Sequence, residues 1–360
     1  MMQFSLSTQI RFGAGESRRF FDNLPANSVL IYSKSALDGL SSHERLTLAA
    51  IDRHVVEGEP SVEAINKILA RVETPVHVVG LGGGSAMDAA KAVAACLEKK
   101  IRDCAAMLDG PQEDFRQRVH LTLLPTTSGT GSELSRAAIL FDHLQGVKRG
   151  IRGNLVLADL AVIDPLLTLT CSKKTTAESG FDCLSHATET YLSKKSSALV
   201  QSLARSVIEI CFEWLPVSVS DPRHEVAREK MAFASSVAGF CLSQASTCLP
   251  HRIQYAFSDK WEISHGLGLA MIYPFWLRAL AVHSTNLVDL EKSLGGVCYL
   301  DLVEKLKVEI GLSQAISSKI RTIDFRISAE QVTGSLSDDP AYSPEVVEKI
   351  IDEMNMTYAP

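Results

Sequence analysis

Hydrophobic and polar positions change their period along this chain. Ser28 to Tyr32 (SVLIY) is a short, nearly continuous apolar run of the length of a buried strand, and Ala50 to Val56 is a weaker one. Ser61 to Val72 carries apolar residues at helical spacing, with Ser61 placed to cap the helix and Glu63 in its first turn. Pro75 to Gly80 returns to strand, Ala86 to Leu97 is alanine-rich and helical, and His120 to Leu124 is again strand. This alternation predicts a largely parallel sheet covered by helices on both faces. Residues 137–164 read instead as antiparallel strand pieces around the turn HLQG. After Asp164-Pro165 the texture changes: 175–191, 198–214 and 223–243 are all helical in period, and little beyond them reads as strand. The expected organisation is an α/β nucleotide-binding domain over residues 1–167 and an all-α domain over residues 168–360.

Bulk properties narrow the function classes. A chain of 360 residues suits two domains, and 46% hydrophobic with 22% charged residues is ordinary globular composition. A net charge of -6 argues against nucleic acid or an anionic membrane as partner. No apolar stretch reads as a membrane span, and the N-terminal segment lacks a basic stretch followed by an apolar run. The eight cysteines are scattered and form no Cys-x-x-Cys, as expected of reduced thiols in a cytoplasmic protein.

The chemistry gathers in three places. In GLGGGSAMDAAK, Gly82, Gly83, Gly84 and Ser85 follow a strand and open a helix, where backbone N–H groups and the helix dipole suit a pyrophosphate. The spacing is not Gly-x-Gly-x-x-Gly, and a glycine run alone is equally a tight turn. Asp88 and Lys91, further along that helix, could simply be surface charges. PTTSGTGSE, Pro125 to Glu133, also follows a strand. Alone it reads best as a hydrophilic turn, but two such loops at strand C-termini favour a ligand. Finally, Asp182 and His186 are four apart and so share one helix face, while His251 and His265 bracket a second segment. One carboxylate and three imidazoles are ligand types for Fe²⁺ or Zn²⁺. The other histidines match no motif and read as surface or satisfied core. Cys183 reads as a buried helix thiol, and Glu189 as support for the site.

Together GGGSAMDAAK, PTTSGTGSE, the DP of AVIDP, GFDCLSHATETY and ISHGLGLAMIYP resemble, in order and approximate spacing, the iron-containing (group III) alcohol dehydrogenase family. FGAG at 12–15 and EVAREKMAFASSVAG at 225–239 extend the likeness over nearly the whole chain. The resemblance implies a Rossmann-like N-terminal domain, a helical C-terminal domain, an active site in the cleft between them, a nicotinamide cofactor and one divalent metal. Carried over by position, it implies Asp182, His186, His251 and His265 as metal ligands, with Fe²⁺ favoured over Zn²⁺. It places Gly83, Gly84 and Ser85 at the pyrophosphate, and Thr126, Thr127, Ser135 and Lys148 along the nicotinamide half. It further implies a homo-oligomer, expected as a dimer, and the interconversion of a small alcohol and its aldehyde, expected to run as aldehyde reduction.

Three departures from the family pattern matter. Lys34 stands where many relatives carry an aspartate for the adenosine ribose, which favours NADPH slightly over NADH. Tyr255 replaces a histidine thought to assist proton transfer. Arg252 replaces a glycine after the third ligand. Arg252 and Arg136 could together clamp an anionic aldehyde such as phosphonoacetaldehyde, a substrate type the family includes, or they could form ordinary ion pairs. Two rival readings are a lyase resembling 3-dehydroquinate synthase and a non-catalytic binding protein with a relict site.

Overall fold

The computed structural model describes residues 6–72, 77–108, 112–257, 260–334 and 336–359; Pro75 and Val76, where the third strand was expected to start, lie outside them. The strands are β1 (Gln9–Phe12), β2 (Ser28–Ser33), β3 (Asp52–Val56), β4 (His77–Gly82), β5 (His120–Pro125), β6 (Ala137–Asp142), β7 (Val147–Arg152) and β8 (Leu160–Ile163). The first seven helices are α1 (Glu16–Phe21), α2 (Ser42–Ala49), α3 (Val62–Leu69), α4 (Gly84–Glu98), α5 (Lys173–Leu192), α6 (Ala198–Ser220) and α7 (Glu225–Gln244). Then come α8 (Leu249–Tyr255), α9 (His265–His283), α10 (Thr285–Ser293), α11 (Tyr299–Glu309), α12 (Leu312–Ile320) and α13 (Pro344–Tyr358). Packing divides the chain into one unit of Met1–Cys171 with Pro222–Ser243 and a second of Ser172–Asp221 with Gln244–Pro360.

The first unit is α/β. Its six-stranded sheet runs β1-β8-β5-β4-β2-β3 with every pairing parallel. Alternate residues of β2 enter different cores. Val29 and Ile31 join Ile65 of α3 and Val93 of α4 on one face, while Leu30 meets Phe20 and Phe21 of α1 and Leu48 of α2 on the other. A strand buried on both faces has no polar alternation, which is why SVLIY is an apolar run. Ser61 caps α3 by accepting from the Ala64 N–H at 3.2 Å, as its position predicts, an interaction worth about 1 kcal/mol.

Two strands depart from the sequence reading. β6 and β7 form the antiparallel hairpin expected around HLQG, but Leu160–Ile163, from the same stretch, joins the parallel sheet. The edge strand β1 pairs with β8 and carries no buried residue, so it leaves little hydrophobic signal.

Lys91 is corrected from a surface charge to an interior one, and Asp88 beside it is half-buried. Lys91 is 0% exposed; its Nζ donates to Ser135 O (3.2 Å), Ser135 Oγ (3.0 Å) and Ala137 O (2.8 Å) and lies 3.7 Å from Asp88 Oδ1. Asp88 accepts from Ser132 Oγ and from the Ile139 N–H. This polar knot ties α4 to the segment leading into β6.

α7 packs within the α/β unit, which sets it apart from a single division near residue 167. A Cβ added to Gly239 of α7 would stand 2.0 Å from Gly131 O, so only glycine permits this approach to the Pro125–Glu133 loop. Ser236 Oγ donates to Glu133 Oε1 beside it, at 2.7 Å. Burial pushes the Glu133 carboxyl above its ordinary pKa.

The second unit is helical. Its α9 includes His265–Val282, which by length and composition alone could cross a membrane, contrary to the expectation that no stretch would; 72% of that stretch is buried inside the protein, as in a core helix.

Candidate active site

Four side chains from three helices of the helical unit converge. Ser172 caps α5 by accepting from the Thr175 N–H at 3.0 Å, and the helix then carries Asp182 and His186 on one face, one turn apart. His251 comes from α8, and His265 is the first residue of α9. The Nε2 atoms of His265, His251 and His186 lie 3.4, 3.5 and 3.7 Å from Asp182 Oδ1. The His186 and His251 rings stack at 4.7 Å.

These distances fit a metal better than they fit hydrogen bonds. Asp182 Oδ1 and His251 Nε2 are buried with no hydrogen-bond partner, a costly state for polar atoms that nothing satisfies. Ligand atoms each about 2.1 Å from a tetrahedral ion lie about 3.4 Å from one another. Among the described residues, Asp182, His186 and His251 form a group whose ligand atoms all lie within 4.8 Å of one another, and His265, 3.4 Å from Asp182 Oδ1, stands outside that group. The residues present therefore fit a single divalent ion of the type bound by nitrogen and oxygen donors.

A ring of outer contacts aims the imidazoles. Glu189 Oε1 is 2.7 Å from His251 Nδ1, and Gln254 Oε1 is 2.7 Å from His265 Nδ1, leaving both Nε2 atoms turned to Asp182. Glu189 Oε2 accepts from the Cys248 N–H (2.6 Å) and Asp339 Oδ2 from the Leu249 N–H (2.9 Å), so two buried carboxylates hold the start of α8. Asp339 is steadied by Trp276 Nε1 at 2.8 Å. Glu189 was anticipated as support; Gln254, Asp339 and Trp276 were not. Each acts on a residue from another element, which spacing along the chain does not reveal.

The electrostatics match. Burial by itself would raise the Asp182 carboxyl, but the imidazoles of His186, His265 and His251 outweigh it and hold the group well below its ordinary value. Burial lowers His186 to about 4, so it is a neutral imidazole near neutral pH. Burial pulls His251 down too, but Glu189 and Asp182 carry it up to about 9, so a cation entering the site displaces a proton there.

Tyr255, the last residue of α8, stacks on His265 with ring centroids 6.0 Å apart and planes at 27°. Cys183 is fully buried, its sulfur 3.8 Å from that of Cys211.

The expected nucleotide residues lie in the α/β unit. Because β5, β4 and β2 are adjacent and parallel, Thr126 and Thr127, Gly83 to Ser85, and Lys34 follow the C-terminal ends of neighbouring strands along one edge. The chain order reverses between β2 and β4, the switch point where open α/β sheets take ligands. Gly83 precedes α4 with no side-chain cap, so the first N–H groups of that 15-residue helix remain for an anion. A Cβ on Gly84 would meet Thr130 Cγ2 at 2.6 Å, so the two loops nest closely. Lys34 is exposed immediately after β2. Ser135 and Lys148 have other partners: the Ser135 hydroxyl accepts from Lys91, and Lys148 Nζ lies 2.6 Å from Glu59 Oε1. Arg136 hydrogen-bonds Asn154 Oδ1.

Comparison with known proteins decides what this arrangement is. The profile of iron-containing alcohol dehydrogenases matches residues 7–165, and that of the family's C-terminal domain matches residues 176–318. The 1-propanol dehydrogenase PduQ of Citrobacter freundii is 32% identical over 283 residues, 76% of this chain and 72% of that protein. The chain belongs to the iron-containing alcohol dehydrogenase family. It is an oxidoreductase of alcohols and aldehydes, in a family that uses NAD(H) and iron. An iron-containing alcohol dehydrogenase from Thermotoga maritima superposes with a TM-score of 0.81 at 28% identity, covering 99% of this chain and 100% of that one. A sulfoacetaldehyde reductase from Bifidobacterium kashiwanohense in complex with NAD+ shares the fold with a TM-score of 0.84 at 24% identity, covering 99% of both chains. Membership favours a dehydrogenase over a lyase resembling 3-dehydroquinate synthase and over a relict site.

Proposed function

We propose that this enzyme reduces a small aldehyde to its primary alcohol with NAD(P)H, using one divalent metal, Fe²⁺ in preference to Zn²⁺, held by Asp182, His186, His251 and His265. The observation that carries this reading is the unsatisfied oxygen of Asp182 with three imidazole Nε2 atoms within 3.7 Å of it. When bound, the metal supplies Lewis acidity to the substrate oxygen, and the nicotinamide supplies hydride.

The chain's own residues do the rest. Glu189 and Gln254 keep the His251 and His265 rings oriented, so the site is set before substrate arrives. Gly83, Gly84 and Ser85 cradle the cofactor pyrophosphate on the α4 N-terminus, with Thr126 and Thr127 beside them. Ser135, bonded to Lys91, and Lys148, paired with Glu59, line the nicotinamide half. Lys34, exposed at the end of β2, attracts a ribose 2′-phosphate and favours NADPH. A proton reaches the nascent alcohol oxygen through the Tyr255 hydroxyl, a cofactor hydroxyl or water.

The test is metal analysis of purified protein coupled to NADH and NADPH oxidation with a panel of aldehydes. Chelation should abolish turnover, and anaerobic Fe²⁺ should restore it better than Zn²⁺. Full turnover after chelation overturns the reading.

A further inference from the structure

Arg252 is a buried cation with no anionic partner among the described residues. It is 7% exposed, its Nη2 donates to Thr247 Oγ1 at 3.2 Å, and its Nε is enclosed with no acceptor. No carboxylate pairs with it among the described residues. Other buried arginines of the chain are treated differently. Arg116 is ion-paired to Asp159 at 2.9 Å and also donates to the carbonyls of Val119, Leu155 and Leu157. Arg228 donates to the carbonyls of Pro222 (2.9 Å) and Cys171 (3.3 Å). A guanidinium taken out of water without a compensating partner is a costly arrangement.

Arg252 lies close to the candidate metal ligands. It directly follows His251, and its Cζ lies 5.8 Å from the Tyr255 ring centroid, the ring that stacks on His265. The path from a metal-ligand candidate to the cation is therefore one aromatic ring long. Gly334, at φ +100°, approaches from another side, where an added Cβ would stand 3.4 Å from Arg252 Cδ.

We propose that Arg252 recognises the substrate by charge: the enzyme's aldehyde carries a carboxylate, phosphonate or similar oxyanion, which takes the guanidinium's free donors. This rests on the aldehyde-reductase reading above. In the reaction, hydride from NAD(P)H forms a C–H bond at the carbonyl carbon, the C=O π bond breaks, and the oxygen takes one proton. Two electrons pass from cofactor to aldehyde, NAD(P)+ and the primary alcohol leave, and the anionic group is unchanged. Arg136, bonded to Asn154, is not needed for this recognition.

The experiment compares butanal with succinic semialdehyde and phosphonoacetaldehyde for the metal-loaded wild type, Arg252→Gln and Arg252→Lys. The wild type should prefer one anionic aldehyde by kcat/KM of about 10²-fold or more. Arg252→Gln should raise the KM of that substrate by roughly 30-fold or more while moving the KM of butanal by less than about threefold, and Arg252→Lys should recover part of the loss. Calorimetric titration with methylphosphonate and with succinate gives a readout independent of turnover: binding to wild type, lost in Arg252→Gln at unchanged metal content. A wild-type preference for butanal, or equal KM effects on charged and uncharged substrates, overturns the proposal. If no aldehyde is reduced but these anions still bind through Arg252, the reductase reading fails and the anion site stands.

Discussion

Glu189 Oε1 lies 2.7 Å from His251 Nδ1, and Glu189 sits seven residues after Asp182 on the same helix, α5. One helix face thus presents Asp182, His186 and Glu189 at positions i, i+4 and i+7: two candidate ligands and the carboxylate that orients a third. The other oxygen of Glu189 holds the Cys248 N–H, so the same side chain sets both the ring and the helix that bears it.

Replacing that carboxylate should weaken the metal without emptying the fold. We expect Glu189→Gln to lower metal affinity by about 10- to 100-fold, because the amide loses the charge that makes the imidazole a better donor. Titration against a competing chelator measures it, and an unchanged affinity would remove Glu189 from the site.

Asp182→Ala and His265→Ala should each lose most bound metal and nearly all turnover while the far-ultraviolet circular dichroism spectrum stays native. Mass-spectrometric metal content read beside activity checks this. A His265→Ala protein with stoichiometric metal and normal turnover would mean that His265 is not a ligand.

Lys34→Asp should move cofactor preference towards NADH, since a carboxylate repels a 2′-phosphate and accepts from a ribose hydroxyl. The ratio of kcat/KM for the two cofactors decides it; a strong wild-type preference for NADH would sink the role given to Lys34.

Lys91→Met should cost about 3–5 kcal/mol of stability, because it strips three hydrogen bonds and leaves the half-buried Asp88 beside no cation. Burial raises the Asp88 carboxyl, with Lys91 chief among the groups opposing that rise. Urea unfolding of the metal-free protein measures the loss; a change under about 1 kcal/mol would show the knot to be dispensable.

His77 should contribute to acid instability. Burial, helped by His120, lowers it from 6.5 to about 4 against the opposing pull of Asp159. Between those values the unfolded chain binds more protons, so stability is full above about pH 6.5 and falls as pH drops towards about 4. His77→Gln should flatten that slope by about 1–3 kcal/mol across the window. Coincident wild-type and variant slopes, both without metal, would place the effect elsewhere.

Local pattern was enough for much of this protein. The apolar run of β2, the cap at Ser61, the small residues leading α4 and the i, i+4 pair Asp182/His186 are each written within a few residues, because period, capping and turn chemistry act over one or two helical turns. The same local motifs, taken together, carried the family. Tertiary structure alone decided what depends on a partner far along the chain. Lys91 looks like any helix-surface lysine until Ser135 and Ala137 are folded over it. The edge strand β1 has no buried face to announce it, and Leu160–Ile163 became parallel through its neighbours β5 and β1. α7 follows the α/β unit because Gly239 fits against Gly131, more than a hundred residues earlier. Asp339 reaches the start of α8 across 90 residues, and whether Arg252 has a counter-ion is a question only the packed interior answers. Hydrophobic period records which face is buried, and it carries no record of which distant polar group is waiting there.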